Sequence, residues 1–393
     1  MLRDLHAAAW WAGLTAFVWF AFGAVPLHIS VSEQLGLTLA QTSSWIFIVW
    51  FSGAISSIAA SLYFRQPLPI TWTIPGLVYL GTLVDRFSFA ELVGANLVAG
   101  VLLLALALLG VGGRIMKWLP LPIIMGMFAG SILEYIVRMV KATVEDLAVA
   151  GTVVACYLLG RLIDSPRVPP VGLAVVGGAI AVALVGTSGA TPVDWHLPVL
   201  AVPDMAFSAS AIVAVSLPMV VLAMGLGNVQ GLGFLLAQGY KVPVNAVSTL
   251  VGVNSIINAL LGGHAAAVGR NGVAILASAD AGPAAGRYWA AVIAAALTIF
   301  MALAATPLAS LLNVLPRTYI YALAGVAIIS ALQDALEKAF GGNLRFGALV
   351  ALVVAATPFS VLGITSAFWA ILAGVAASAC AERRQLIEFW SGK

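Results

Sequence analysis

Residues 65–76 read Arg65-Gln66-Pro67-Leu68-Pro69-Ile70-Thr71-Trp72-Thr73-Ile74-Pro75-Gly76, and this stretch decides the architecture. The prolines remove backbone donors and clash with a preceding helical turn, so Gln66-Pro67-Leu68-Pro69 cannot continue a helix, and Pro75-Gly76 interrupts the run again. A short extended piece before a half-helix is expected within the apolar run Gln66 to Val84. A second run, His264 to Ala279, has the same character: Gly262-Gly263-His264 opens it and Gly269-Arg270-Asn271-Gly272 interrupts it. Irregular backbone inside a bilayer persists only where protein or a cavity satisfies it.

The bilayer itself follows from composition. Of 393 residues, 8 % are charged and 62 % apolar, with a mean hydropathy of +1.08. A soluble domain carries charge on about a quarter of its residues. Too few polar groups exist to cover a water-facing surface, which excludes a cytosolic enzyme, a disordered chain and a nucleic-acid-binding domain. Cys156 and Cys380 lie in apolar runs, so neither a disulfide framework nor a Cys metal site is expected.

At roughly 28 residues per span plus loop, the length suggests about fourteen crossings of an all-α polytopic membrane protein. Seven are expected near Ala8–Ile29, Thr42–Phe64, Gln66–Val84, Phe89–Val111, Lys117–Val137, Leu147–Leu162 and Pro170–Val185. Seven more follow near Met205–Leu226, Val242–Leu261, His264–Ala279, Ala284–Thr306, Leu311–Leu332, Phe346–Ala356 and Thr365–Ala381. The first reads as a retained helix rather than a cleaved signal. With both termini cytoplasmic, thirteen Lys and Arg residues fall inside and four (Arg86, Arg138, Lys141, Arg317) outside, which supports an even count. Arg270 alone lies within a span.

The second half repeats the layout of the first. Leu119-Pro120 followed by Ala129-Gly130 matches Leu315-Pro316 followed by Ala324-Gly325, at offsets of 196 and 195. The same offset sends the third segment onto the tenth, the two interrupted ones. Seven segments per copy, over residues 1–190 and 200–385, makes the repeats inverted. Paired broken segments in inverted repeats point to a binding site near the midplane.

The residues resemble the benzoate/proton symporter family of BenE type. The resemblance rests on Arg65-Gln66-Pro67 leading to Thr71-Trp72-Thr73-Ile74-Pro75-Gly76, on Gly239-Tyr240-Lys241-Val242-Pro243-Val244, on Gly262-Gly263-His264-Ala265, and on Leu362-Gly363-Ile364-Thr365-Ser366-Ala367-Phe368-Trp369. It implies the fold of nucleobase permeases and of sulfate and bicarbonate transporters. In that fold a core domain (segments 1–4 and 8–11) and a gate domain (5–7 and 12–14) hold substrate between the half-helices of segments three and ten. Two departures stand out. Where nucleobase permeases carry carboxylates, this chain reads Gly225-Leu226-Gly227-Asn228-Val229-Gln230 and Arg270-Asn271, which disfavours uracil; and Arg270 interrupts a stretch that is apolar and small in the benzoate family.

Half-helix amino termini suit an anion, and a guanidinium offers a planar fork to a carboxylate. Arg270 is thus expected either to bind a substrate carboxylate or to serve as a structural counter-charge. Thr71, Trp72, Thr73 and Gly76 supply hydroxyls, an aromatic face and a helix start; Asn228, Gln230, His264 and Asn271 complete the expected substrate site. His264 is one candidate for the proton and Glu134 the rival, although Glu134 is spaced to pair with Arg138. His28 and Glu33 are expected to face the outer water.

The expected function is a proton-coupled symporter of benzoate or a related small carboxylate in the inner membrane, with no metal, no cofactor, no nucleic-acid partner and a homodimer among its assemblies. The alternatives are an uncoupled anion exchanger or channel, or a nucleobase permease, on the same fold. The sequence has no P-loop, His-Glu-x-x-His or Gly-x-Ser-x-Gly, and no catalytic constellation can be built from its four histidines, so an enzyme is not expected.

Overall fold

The computed structural model describes residues 4–110, 120–163, 169–186, 193, 195–361 and 364–391. Among them, seven helices are long and apolar enough to cross a bilayer: α1 (Ala7–Gln34), α2 (Leu39–Phe64), α4 (Phe89–Leu108), α5 (Leu121–Glu145), α8 (Ala209–Ala237), α11 (Tyr288–Leu303, with the short turn before it) and α13 (Arg317–Phe340). Shorter apolar helices are α6 (Ala150–Ile163), α7 (Pro170–Val185), α9 (Val244–Leu260), α14 (Arg345–Ala356) and α15 (Ser366–Ala381). Between them lie α12 (Ala305–Val314) and, at the end, the amphipathic α16 (Arg383–Ser391). This is a helical, multi-pass membrane fold.

The two interrupted stretches fold as a pair. Helix α2 ends at Arg65 in the left-handed region, with φ 52, and the prolines carry the chain into strand β1 (Ile70–Trp72) and half-helix α3 (Ile74–Gly81). Strand β2 (Ala266–Val268) leads likewise into α10 (Arg270–Leu276). The strands pair antiparallel, Ile70 opposite Val268 and Trp72 opposite Ala266. Flanking bonds extend the ladder: Thr73 N–H donates to the Ala265 carbonyl (3.0 Å) and Gly269 N–H to that of Pro69 (2.8 Å).

The neighbouring helices pin each strand with a serine. Ser57 of α2 donates to the Ile70 carbonyl and accepts from the Ile70 N–H, both at 2.8 Å. Ser255 of α9 accepts from Ala266 N–H at 2.9 Å. Two-stranded sheets are marginal alone, so these side chains and the surrounding helices hold this one in place.

Packing places α2 against α11, α4 against α9, and α5 against both α13 and α14. Gly126 and Gly130 make the last approach close: a Cβ on either would sit 2.2 Å from a carbonyl oxygen of α14. Several boundaries differ from expectation: α1 runs on to Gln34 instead of Ile29 and α5 to Glu145 instead of Val137, and segments eight and twelve are displaced at both ends. Segment eight starts at Ala209 and runs to Ala237 through π-helical turns at Ile212–Ser216 and Leu222–Val229. Segment twelve starts after Pro316, which caps α13 as Pro120 caps α5, and continues to Phe340 instead of Leu332; Leu311 belongs to α12. Proline has no N–H to continue α12, so the break falls there. Leu119, Leu362 and Gly363 lie outside the described residues. The retained part of the last motif forms strand β4 (Ile364–Thr365), paired with β3 (Ser360–Val361), before α15.

Candidate substrate-binding site

A cavity opens where β1 and β2 hand over to their half-helices. Thr71, Trp72, Thr73 and Pro75 line one side and Ala267, Val268, Gly269 and Arg270 the other; α1 adds Trp19 and Phe20, α5 adds Met125 and Phe128, and α13 adds Ala331 and Asp334. Four aromatic rings, Trp19, Phe20, Trp72 and Phe128, thus stand in the walls, and the two charged groups, Arg270 and Asp334, meet there. An adjoining cavity shares Trp19, Ile74, Arg270 and Ala331 and reaches Arg161.

The charged end is a network. Arg270 Nη1 donates to Asp334 Oδ2 (2.6 Å) and to Gln230 Oε1 (2.8 Å). Lys338 Nζ donates to the same Gln230 oxygen (2.9 Å) and to Asp334 at Oδ1 (2.9 Å) and Oδ2 (3.0 Å). The partner that a guanidinium in a span requires is therefore Asp334, held at about 30 % exposure on both side chains. Asp334 and Lys338 were not legible as site residues, because the expected segment twelve stopped at Leu332; their i, i+4 spacing was the available signal that the helix continues.

Four of the expected residues, Thr71, Trp72, Thr73 and Arg270, line the cavity, and Gln230 orients Arg270. Asn228 does something else: it is buried, and its Oδ1 accepts from Val268 N–H at 2.9 Å, satisfying β2. Asn228→Ala is expected to cost about 1–3 kcal/mol of stability by orphaning that buried N–H while leaving substrate preference unchanged; thermal melts beside uptake competition check it. Gly76 N–H donates to Thr73 Oγ1 (3.2 Å), and a Cβ there would lie 2.5 Å from Met219 Sδ, so Gly76 serves packing and the cap of α3. The Asn271 side chain lies outside the described residues.

His264 sits behind Trp72, fully buried. Its Nδ1 accepts from Trp45 Nε1 at 3.0 Å, which puts the neutral ring's proton on Nε2. His28, expected at the outer water, is instead buried within the same aromatic box: its ring centroid is 4.2 Å from Trp72 and 5.9 Å from His264. The last turns of α1 pack inward from Ala24 to Ser32, which carries His28 with them. Glu33 is also mostly covered and pairs with Arg317 at 2.7 Å. Glu134 lies elsewhere, 53 % exposed and paired with Arg138, beside Arg86 and Thr82.

A multi-pass bundle that brings two broken segments together around a cavity with aromatic walls and a charged end has the architecture of a membrane transporter. The model of the benzoate membrane transport protein family matches residues 3–380, and the chain belongs to that family. It is 26 % identical over 343 residues to inner membrane protein YdcO of Escherichia coli (strain K12), covering 86 % of this chain and 87 % of that one. It is 24 % identical over 379 residues to the benzoate membrane transport protein of Acinetobacter baylyi, covering 95 % of each. Among solved structures, the transmembrane domain of a cyanobacterium bicarbonate transporter, BicA, superposes with a TM-score of 0.61 at 17 % identity, covering 95 % of this chain and 98 % of that one. The anion transporter SLC26A9 from mouse, in its inward-facing state, gives 0.63 at 14 % identity, covering 98 % and 69 %. These likenesses bear on the fold.

Proposed function

We propose that the protein is a proton-coupled importer of benzoate or a closely related aromatic monocarboxylate, working by alternating access in the inner membrane. The observation that carries this reading is the cavity itself: Trp19, Phe20, Trp72 and Phe128 suit a flat ring, and Arg270 suits the carboxylate at its edge. The family supports it, as does the likeness to the benzoate membrane transport protein of Acinetobacter baylyi along nearly the whole chain.

In this reading the chain crosses the membrane fourteen times as two inverted repeats, with cytoplasmic termini. The half-helix pair belongs to a core domain that moves past a gate domain containing α5, α13 and α14. His264, with His28 beside it, takes the proton; Glu134, at an exposed i, i+4 pair, does not. A nucleobase is a poor fit, because the cavity's carboxylate, Asp334, is already engaged by two cations.

Uptake of labelled benzoate into proteoliposomes tests both parts. An inward proton gradient is expected to accelerate uptake, and His264→Gln is expected to remove that acceleration while benzoate binding persists. Uptake indifferent to the gradient would favour the second reading, an uncoupled anion exchanger or channel, to which the likeness to the bicarbonate and anion transporters lends weight. No uptake of any aromatic carboxylate would overturn the substrate class.

A further inference from the structure

The carboxylate that meets Arg270 belongs to the protein. Asp334 projects from α13 into the same cavity as Arg270, which stands at the start of α10, so the guanidinium already holds a group of the substrate's own chemistry. We propose that Asp334 is a tethered competitor: it occupies Arg270 when the site is empty and yields to the substrate carboxylate, falling back on Lys338. This rests on the reading of the cavity as an aromatic carboxylate site and specifies how that site selects charge.

Three observations support the exchange. Lys338 contacts both Asp334 oxygens, at 2.9 and 3.0 Å, independently of Arg270, so the displaced carboxylate keeps a counter-ion one helical turn away. Gln230 Oε1 accepts from both Arg270 and Lys338, which holds the two cations in one cluster whichever carboxylate lies between them. Both members of the Arg270–Asp334 pair are about 30 % exposed, so the pair is wet enough to open without stranding a charge in a dry interior.

The charge count gives the selectivity. Among the described residues of the cluster, Arg270 and Lys338 supply two positive charges and Asp334 one negative, so the cluster carries a net positive charge toward the incoming group. Arg161 lines the adjoining cavity that Arg270 also lines, and adds the same sign there. A monoanion therefore neutralises the cluster; a dianion overshoots it, and a neutral analogue gains nothing from displacing Asp334.

The test is competition against labelled benzoate by benzoate, phthalate at a pH where it is a dianion, and benzamide, on the full-length protein in detergent or proteoliposomes. Wild type is expected to prefer benzoate to phthalate. Asp334→Asn is expected to tighten benzoate about three- to fivefold, the worth of a partly exposed ion pair. Phthalate is expected to tighten more than benzoate, with benzamide unchanged. Lys338→Gln, near the end of α13, is expected to weaken benzoate, since it removes both a charge and the fall-back partner. Benzoate binding that is unchanged or weaker in Asp334→Asn, or a shift shared equally by benzamide, would overturn the competitor. Should Asp334→Asn fail to fold, Lys338→Gln decides alone, and unaltered benzoate affinity there would reject the proposal. Failure of wild type to bind any of the three would instead reject the reading of the site.

Discussion

Arg270→Ala is expected to abolish carboxylate uptake while the protein still folds. Truncation leaves Asp334 neutralised by Lys338, so the cluster loses its surplus positive charge along with the planar donor fork. Losing a charged donor to a carboxylate at this partly exposed site weakens binding by about tenfold to a hundredfold. Arg270→Lys separates the two contributions: it keeps the charge but not the fork, and an intermediate loss is expected. The measurements are benzoate affinity and melting temperature together. Wild-type affinity in Arg270→Ala would remove the guanidinium from substrate recognition and return it to a purely structural role.

The second large effect is expected one layer behind the cavity. Ser57→Ala deletes the one oxygen that accepts from the Ile70 N–H and donates to the Ile70 carbonyl, orphaning both backbone groups in a buried position. Unmade bonds to buried backbone groups cost about 1–3 kcal/mol each, so a loss of about 2–4 kcal/mol is expected. Because Ile70 pairs with Val268, the damage passes to β2 and the start of α10, and uptake is expected to fall with stability. A variant with an unchanged melting temperature and full uptake would mean that the ladder holds β1 without the serine.

How much of this was legible can be followed residue by residue. The breaks were, because proline and glycine act through local backbone chemistry: Pro67, Pro69 and Gly269 end up flanking β1 and β2. So was the meeting of Thr71, Trp72, Thr73 and Arg270 at one cavity, which the sequence leads one to expect from its two interrupted segments. The partner of Arg270 was not. Asp334 lies 64 residues away, on a helix that runs eight residues past its expected end because hydropathy falls at a charged pair that the fold neutralises internally. Asn228 and His28 show the same limit. Both are polar residues in apolar segments, and only tertiary packing decides that one feeds a strand N–H while the other enters an aromatic box. Gly76 was assigned to substrate on its position at a helix start, whereas its amide is spent on the cap.

The ladder between β1 and β2 has a mechanical corollary. Prising those strands apart in hydrocarbon would expose amide groups with no water to meet them, so the ladder fixes α3 and α10 to one another as one rigid floor. In a carrier that loads on one face and empties on the other, that floor presents the same chemistry to both compartments. In the alternating-access reading proposed above, any difference in grip between capture and discharge comes from the α5 and α13 side of the cavity, Met125, Phe128, Ala331 and Asp334, and altering those four is expected to change directionality more than altering the residues beneath the cargo.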